Sequence, residues 1–346
     1  MQDKDYLFIK ACRQEPTERT PIWIMRQAGR YLAEYWAVRE KYDFLTMCKT
    51  PEIAAEVTLQ PIDIFGFDAS IIFSDILVIP EAMGMKLQMI ESKGPTFDDP
   101  IRSITQIDAL DNSGIQQKLK FVYDAVKIAK ERLAGRVPLI GFSGAPWTLA
   151  AYMVEGKGSK NFEKIKSLIY NNPKDAHRLL DKLSDAVIDY LNGKIDAGCQ
   201  AIQIFDTWGG VLSPWDFEEF SLRYLKKIVD NIKERGVPII IFAKGVRNIK
   251  PISEIDCDVI GVDWTFDIAD AKKEINSSKA LQGNLDPTVL FSNPDKIKAE
   301  ARKVLEKFGK GGGHIFNLGH GILPSTPVEN VRALVDFIKT ESKEFH

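Results

Sequence analysis

The segment Met25 to Tyr31 reads MRQAGRY and sets two arginines four residues apart, Arg26 and Arg30, with Gly29 between them. It follows directly on the apolar run 21–24, at what reads as the end of a buried strand. Arginine presents a rigid fork of donors that grips a carboxylate through two hydrogen bonds at once. Two such forks at a strand end, on a backbone loosened by glycine, describe a clamp for a polyanion. A surface turn carrying two solvated arginines is the alternative this segment leaves open.

Three further positions carry chemistry. Asp75 sits in the apolar run IIFSDILVI, where an aspartate is costly unless donors surround it. It reads either as a helix cap or barrel ion pair, or as a carboxylate held in a low-dielectric site to bind N–H groups or stabilise a developing cation. Tyr152 lies in GFSGAPWTLAAYMVEGKG, a strand that turns through Ser143–Pro146 into a helix. Its phenol either packs with the hydroxyl at the surface or points into a mouth for positioning and proton relay. His320 stands between two glycines in NLGHGILP, which would let the backbone approach a ligand closely. With no cysteine beside it, hydrogen bonding suits it better than metal ligation. His177, His314 and His346 read as structural, and the glycine run 309–313 precedes a strand, unlike a phosphate-binding loop.

Eight short apolar runs supply the elements that must position these residues: 21–25, 69–73, 138–142, 201–205, 238–242, 259–262, 279–281 and 314–318. Most are continuously apolar, as parallel strands covered on both faces require. Helical patterns separate them, with Val122, Val126, Ala129 and Leu133 on one face and Leu180, Leu183, Val187 and Leu191 on another. Thr50-Pro51 marks a helix start, and Thr326-Pro327-Val328-Glu329 predicts a capping box opening the last helix. The alternation predicts a single (β/α)8 TIM barrel over 1–346, with an open doubly wound sheet as the alternative. Residues 84–100 predict an excursion on the rim. At the carboxyl ends of the eight runs stand Arg26, Asp75, Ser143, Asp206 with Thr207, Lys244, Asp263, Asn284 and His320, which a barrel would gather on one face.

The chain has 346 residues, 45% hydrophobic and 27% charged, with a formal net charge of −2. That balance argues against a nucleic-acid binder, so attraction for an acidic ligand must be built locally. Four scattered cysteines, Cys12, Cys48, Cys199 and Cys257, lack zinc or disulfide spacing. No apolar run approaches a membrane span and the N-terminal segment has no apolar signal core, so a cytoplasmic setting is expected.

The strings RTPIWIMRQAGRYL, FSDIL, GFSGAPWTLAAYMVEG, FDTW, QGNLDP and NLGHGI together resemble the uroporphyrinogen decarboxylase family over nearly the whole chain. The resemblance implies a TIM barrel, usually a homodimer, that needs no cofactor and no metal. It implies conversion of uroporphyrinogen III to coproporphyrinogen III in haem biosynthesis, each acetate arm losing CO2 to become a methyl group. A protonated pyrrole would be the electron sink that a cofactor otherwise supplies. By the same resemblance Arg26, Gln27, Ala28, Gly29, Arg30 and Arg39 bind substrate, and Asp75 accepts from the pyrrole N–H groups. Tyr152, Thr207 and His320 would contact the arms or the ring, with Arg26, Tyr152 or a substrate carboxyl delivering the proton. Thr207 stands where many members carry serine, and Ala33 where many carry proline. Two rival readings are a superfamily methyltransferase, which would need a His-x-Cys zinc pair where this chain reads Phe242-Ala243-Lys244, and a silent tetrapyrrole-binding protein, which would not need Asp75 and Tyr152 together.

Overall fold

The computed structural model describes residues 5–90, 94–275 and 277–346. Seven strands form one parallel sheet: β1 (Ser70–Ile71), β4 (Leu139–Gly144), β5 (Ala201–Asp206), β6 (Ile239–Ala243), β7 (Val259–Gly261), β8 (Ala280–Gln282) and β9 (His314–Ile315), adjacent in that order. The register runs without a break, as in Ile204 opposite Ile241 and Ile241 opposite Ile260. Every residue of β4 and β6 is buried, which explains their unalternating sequences. Two antiparallel strands, β2 (Leu87–Ile90) and β3 (Gly94–Phe97), form the excursion predicted over 84–100, of which residues 91–93 lie outside the described residues.

The run 21–25 does not form the eighth strand. It makes one parallel bridge, Ile22 with Phe316, because side chains capture its backbone donors. Ile22 N donates to Asp68 Oδ2 at 2.8 Å, Ile24 N to Gln27 Oε1 at 3.2 Å and Met25 N to Asn317 Oδ1 at 2.9 Å. The segment still closes the ring, since Phe316 N donates to Pro21 O and Asp68 N to Ile22 O, both at 2.8 Å. A short parallel sheet thus becomes a barrel with a polar floor. Trp23 Nε1 donates to Gln282 Oε1 at 2.9 Å, and Gln282 Nε2 donates to Gln203 Oε1 at 3.2 Å.

The helices follow their sequence signals with one exception. Pro51–Phe65 begins after Thr50 and stops at Gly66, whose φ of 65° is the left-handed conformation that favours glycine. Lys120–Leu133 buries the predicted face, and so does Pro173–Ala197. Gly193 lets those two helices touch, because a Cβ there would lie 2.6 Å from the Tyr123 ring. The predicted capping box is not formed. The last helix is Val328–Glu341 with Pro327 in the cap position, so Thr326 comes one residue too early. Among the described residues the buried Thr326 Oγ1 has no hydrogen-bond partner.

Candidate active site

The MRQAGRY loop leaves the ring between β9 and β1 and is tied down from below. Buried Gln27 donates through Nε2 to Ala69 O at 3.1 Å, and its carbonyl accepts from the Tyr31 hydroxyl at 2.7 Å. Leu32 N bonds Gly29 O and Trp36 Nε1 bonds Arg30 O. Gln27 therefore holds the loop with its side chain. By contrast the N–H groups of Ala28, Gly29 and Arg30 have no partner among the described residues. Arg26 takes φ of 64°, a left-handed conformation that costs a non-glycine residue about 1 kcal/mol. Such strain at an exposed arginine aims its side chain at the mouth. Among the described residues neither Arg26 nor Arg30 has an ion-pair partner. Arg39 ends the helix Ala33–Arg39, donates to Tyr42 O at 3.0 Å and shares the surroundings of Tyr35 with Arg30.

Asp75 follows β1 just before the turn at Ile76 and Leu77. Its Oδ1 accepts from Leu77 N at 2.7 Å, a local turn ahead of the short helix Val78–Ala82, whose cap position is Leu77, so Asp75 is not the helix cap. Among the described residues the other oxygen has no hydrogen-bond partner. The carboxyl keeps a path to solvent but lies deep enough that burial raises its pKa, against the Leu77 N–H and the nearby Arg26, which lower it. Half-buried Tyr152, on the helix Pro146–Glu155, feels both Asp75 and Arg26. Burial raises its pKa, the neighbouring Trp208 opposes that rise, and the two rings lie 6.0 Å apart. Thr207 is half-buried just past β5, with no hydroxyl partner among the described residues.

His320 comes after the last strand, its ring 6.3 Å from Phe242 and 6.4 Å from Trp264. Burial first, then the charges of Arg26 and Lys244, push its pKa down to about 3, so the ring is neutral at physiological pH. A neutral imidazole offers one donor and one acceptor. The flanking glycines serve packing between loops: a Cβ at Gly319 would lie 2.3 Å from Trp264 N, and one at Gly321 2.3 Å from Arg26 Cδ.

Four of the strand-end residues do not line the mouth. Asp206 is fully buried and accepts from Thr148 Oγ1 at 2.6 Å and Ser221 Oγ at 2.5 Å, with burial pushing its pKa up to about 6. Asp263 caps the next turn through Thr265 and takes the Gly245 N–H, while Asn284 ties down Asp263 O and Phe266 O. Ser143 is buried without a partner among the described residues. These groups frame the mouth from beneath. Trp264, 37% exposed beside His320, is a wall residue that no motif pointed to; its signal was its place directly after Asp263. Among the described residues no cluster of three or more His, Cys, Asp or Glu side chains is placed to hold a metal, and all four cysteines are buried free thiols.

Comparison with known proteins gives the family. Residues 3–341 match the model of the family described as uroporphyrinogen decarboxylase (URO-D). Uroporphyrinogen decarboxylases from Chloroherpeton thalassium and Chlorobaculum tepidum are 55% and 54% identical to it over 349 residues, covering 99% of each chain. A solved methyltransferase from Methanosarcina mazei superposes with a TM-score of 0.78 over 96% of this chain and 97% of its own, at 22% identity, a likeness of fold alone. With the barrel closed and the motifs of all six strings in place, the chain belongs to the uroporphyrinogen decarboxylase family.

Proposed function

We propose that this protein removes CO2 from the four acetate arms of uroporphyrinogen III, leaving methyl groups and coproporphyrinogen III. As a family member it is a decarboxylase of porphyrin biosynthesis; the residue roles below are our reading. The observation that carries it is the free oxygen of Asp75 beside the unpaired Arg26, in a chain whose net charge gives no general pull on anions. Arg26 and Arg30, with Arg39 behind them, take the carboxylates, and the open N–H groups of Ala28 and Gly29 add donors on a loop held by Gln27. Asp75 accepts from the pyrrole N–H groups, whose combined donors restore its charge against burial.

A proton added to the pyrrole carbon beside an arm makes the ring cationic. The C–CO2 bond then breaks, its electron pair flows into that ring, and CO2 leaves. A proton on the exposed methylene and loss of the ring proton complete the exchange of CO2 for hydrogen. Asp75 stabilises the cation through a short, poorly screened distance. Tyr152 positions the reacting arm or relays its proton, and Thr207 and neutral His320 orient arms or ring. The reading takes the chain as one domain acting as a homodimer in the cytoplasm, consistent with the lack of any described helix long and apolar enough to cross a membrane. Incubation of the pure protein with uroporphyrinogen should yield coproporphyrinogen and four equivalents of CO2. Binding without CO2 release would leave only the silent-binder reading.

A further inference from the structure

Lys244 follows β6, the fifth position round the ring, and therefore stands across the mouth from Arg26 at the first. Its backbone is clamped. Lys244 N donates to Asp206 O at 3.1 Å, and Gly210 N donates to Lys244 O at 2.9 Å. The Gly245 N–H is taken by the Asp263 carboxylate. Gly210 is required for this contact, since a Cβ there would lie 2.5 Å from Lys244 O. So rigid a mounting fixes the point from which the side chain reaches out.

The side chain has been left open. It is half-buried, with the ammonium 5.7 Å from the centre of the Trp264 ring, and among the described residues it has neither an ion-pair partner nor a hydrogen-bond acceptor. Its charge reaches His320, and so does that of Arg26. Both walls therefore face one imidazole with positive charge, which the buried Asp263 carboxylate only partly offsets. Among the other half-buried lysines described, Lys49, Lys227 and Lys233 pair with carboxylates, and Lys182, Lys272 and Lys339 donate to backbone carbonyls. An ammonium held this way rests against the Trp264 ring and stays available to pair with an anion.

We propose that Lys244 is a further substrate-binding residue, taking one carboxylate arm of the tetrapyrrole on the wall opposite the arginine loop, with the Trp264 face beside it. This rests on the decarboxylase reading. Two-sided capture explains how a flexible ligand with acids all round its rim is centred over Asp75: the arginine forks fix arms on one side, and a mobile point charge accepts whichever arm lies across. Lysine suits that task, because it has no preferred in-plane geometry.

The test compares wild type with Lys244→Gln and Lys244→Arg. Turnover of uroporphyrinogen is followed at low and high salt, and binding by quenching of tryptophan fluorescence on anaerobic titration with coproporphyrinogen. Lys244→Gln should raise KM and weaken product binding by about 10- to 100-fold, with kcat changed much less and a shallower dependence on salt. Lys244→Arg should stay within about threefold of wild type. Lys244→Met serves as the neutral variant should glutamine unfold the chain. Unchanged KM, product affinity and salt dependence in a folded neutral variant would overturn the inference. A wild-type protein that binds but does not turn over would instead overturn the decarboxylase reading, and the binding titration would still decide the role of Lys244.

Discussion

Arg26 and Arg30 show what can be read from single residues and what cannot. Their type and spacing pointed to anion binding, but the Arg26 side chain lies against Gly321, where a Cβ would sit 2.3 Å from its Cδ, a contact made only when the last loop folds over the first. Arg26→Lys and Arg30→Lys keep the charge and lose the fork, so each should lower kcat/KM by about tenfold or more while the chain stays folded. Wild-type kinetics in both would remove the clamp from this loop. Asp206 makes the opposite point. It looked like a mouth residue, and only the fold brings Thr148 and Ser221 to its carboxylate, from 58 and 15 residues away in sequence. Among buried groups, His314 has a pKa lowered to about 4 by burial, with Nε2 3.0 Å from Gly283 O and its ring stacked on Phe308. Between pH 6.5 and about 4 the unfolded chain binds a proton there that the native chain does not. Its contribution is thus intact above pH 6.5 and falls by up to about 1.4 kcal/mol per pH unit below it. His314→Gln, which keeps a donor and cannot titrate, should flatten denaturant midpoints measured across that window; an unaltered slope would place the acid sensitivity elsewhere.

At the scale of elements, continuous apolar runs marked seven strands because both faces of each are covered. The eighth run failed as a strand for a reason no periodicity carries: Asp68 and Asn317 from elsewhere in the chain, and Gln27 just beyond the run, reach its N–H groups. Asp68 matters most here. It takes Ile22 N and both arms of Arg19, at 2.8 and 2.6 Å, with the two side chains 12% and 15% exposed. Asp68→Asn leaves that guanidinium enclosed without its counter-charge. It should cost about 3 kcal/mol, read as a lower Tm with the spectrum of a folded barrel retained below it. A change under about 1 kcal/mol would mean the ring closes without this anchor. The missed capping box has an equally local cause, since Pro327 occupies the cap position and supplies no side-chain acceptor.

For the whole molecule, the order of strands decides which residues meet. A parallel ring sets Arg26, Asp75, Tyr152, Thr207, Lys244 and His320 round one opening, although nearly 300 residues of chain separate the first from the last. The net charge of −2 gives no general pull on anions, so on the proposed reading capture falls to the cations left unpaired at that opening. The fold is shared with methyltransferases, so the barrel alone decides no chemistry. If the sink for electrons is the substrate's own protonated ring, exhaustive chelation should leave turnover unchanged. Activity lost to chelator and restored by a divalent metal would bring back the methyltransferase-like reading.

The account stands on the negative charge of Asp75, and two variants measure it directly. Asp75→Asn keeps the size and one acceptor, removes the charge and turns a donor toward the pyrrole donors. It should lower turnover of uroporphyrinogen by about 10²–10³. Asp75→Glu keeps the charge at a longer reach and should retain more activity than asparagine does. Steady-state turnover of both, with circular dichroism establishing that each is folded, gives the answer. Glutamate above asparagine is the predicted order; asparagine above glutamate would mean that shape and not charge is what this position supplies, and the cation-stabilising mechanism would be wrong.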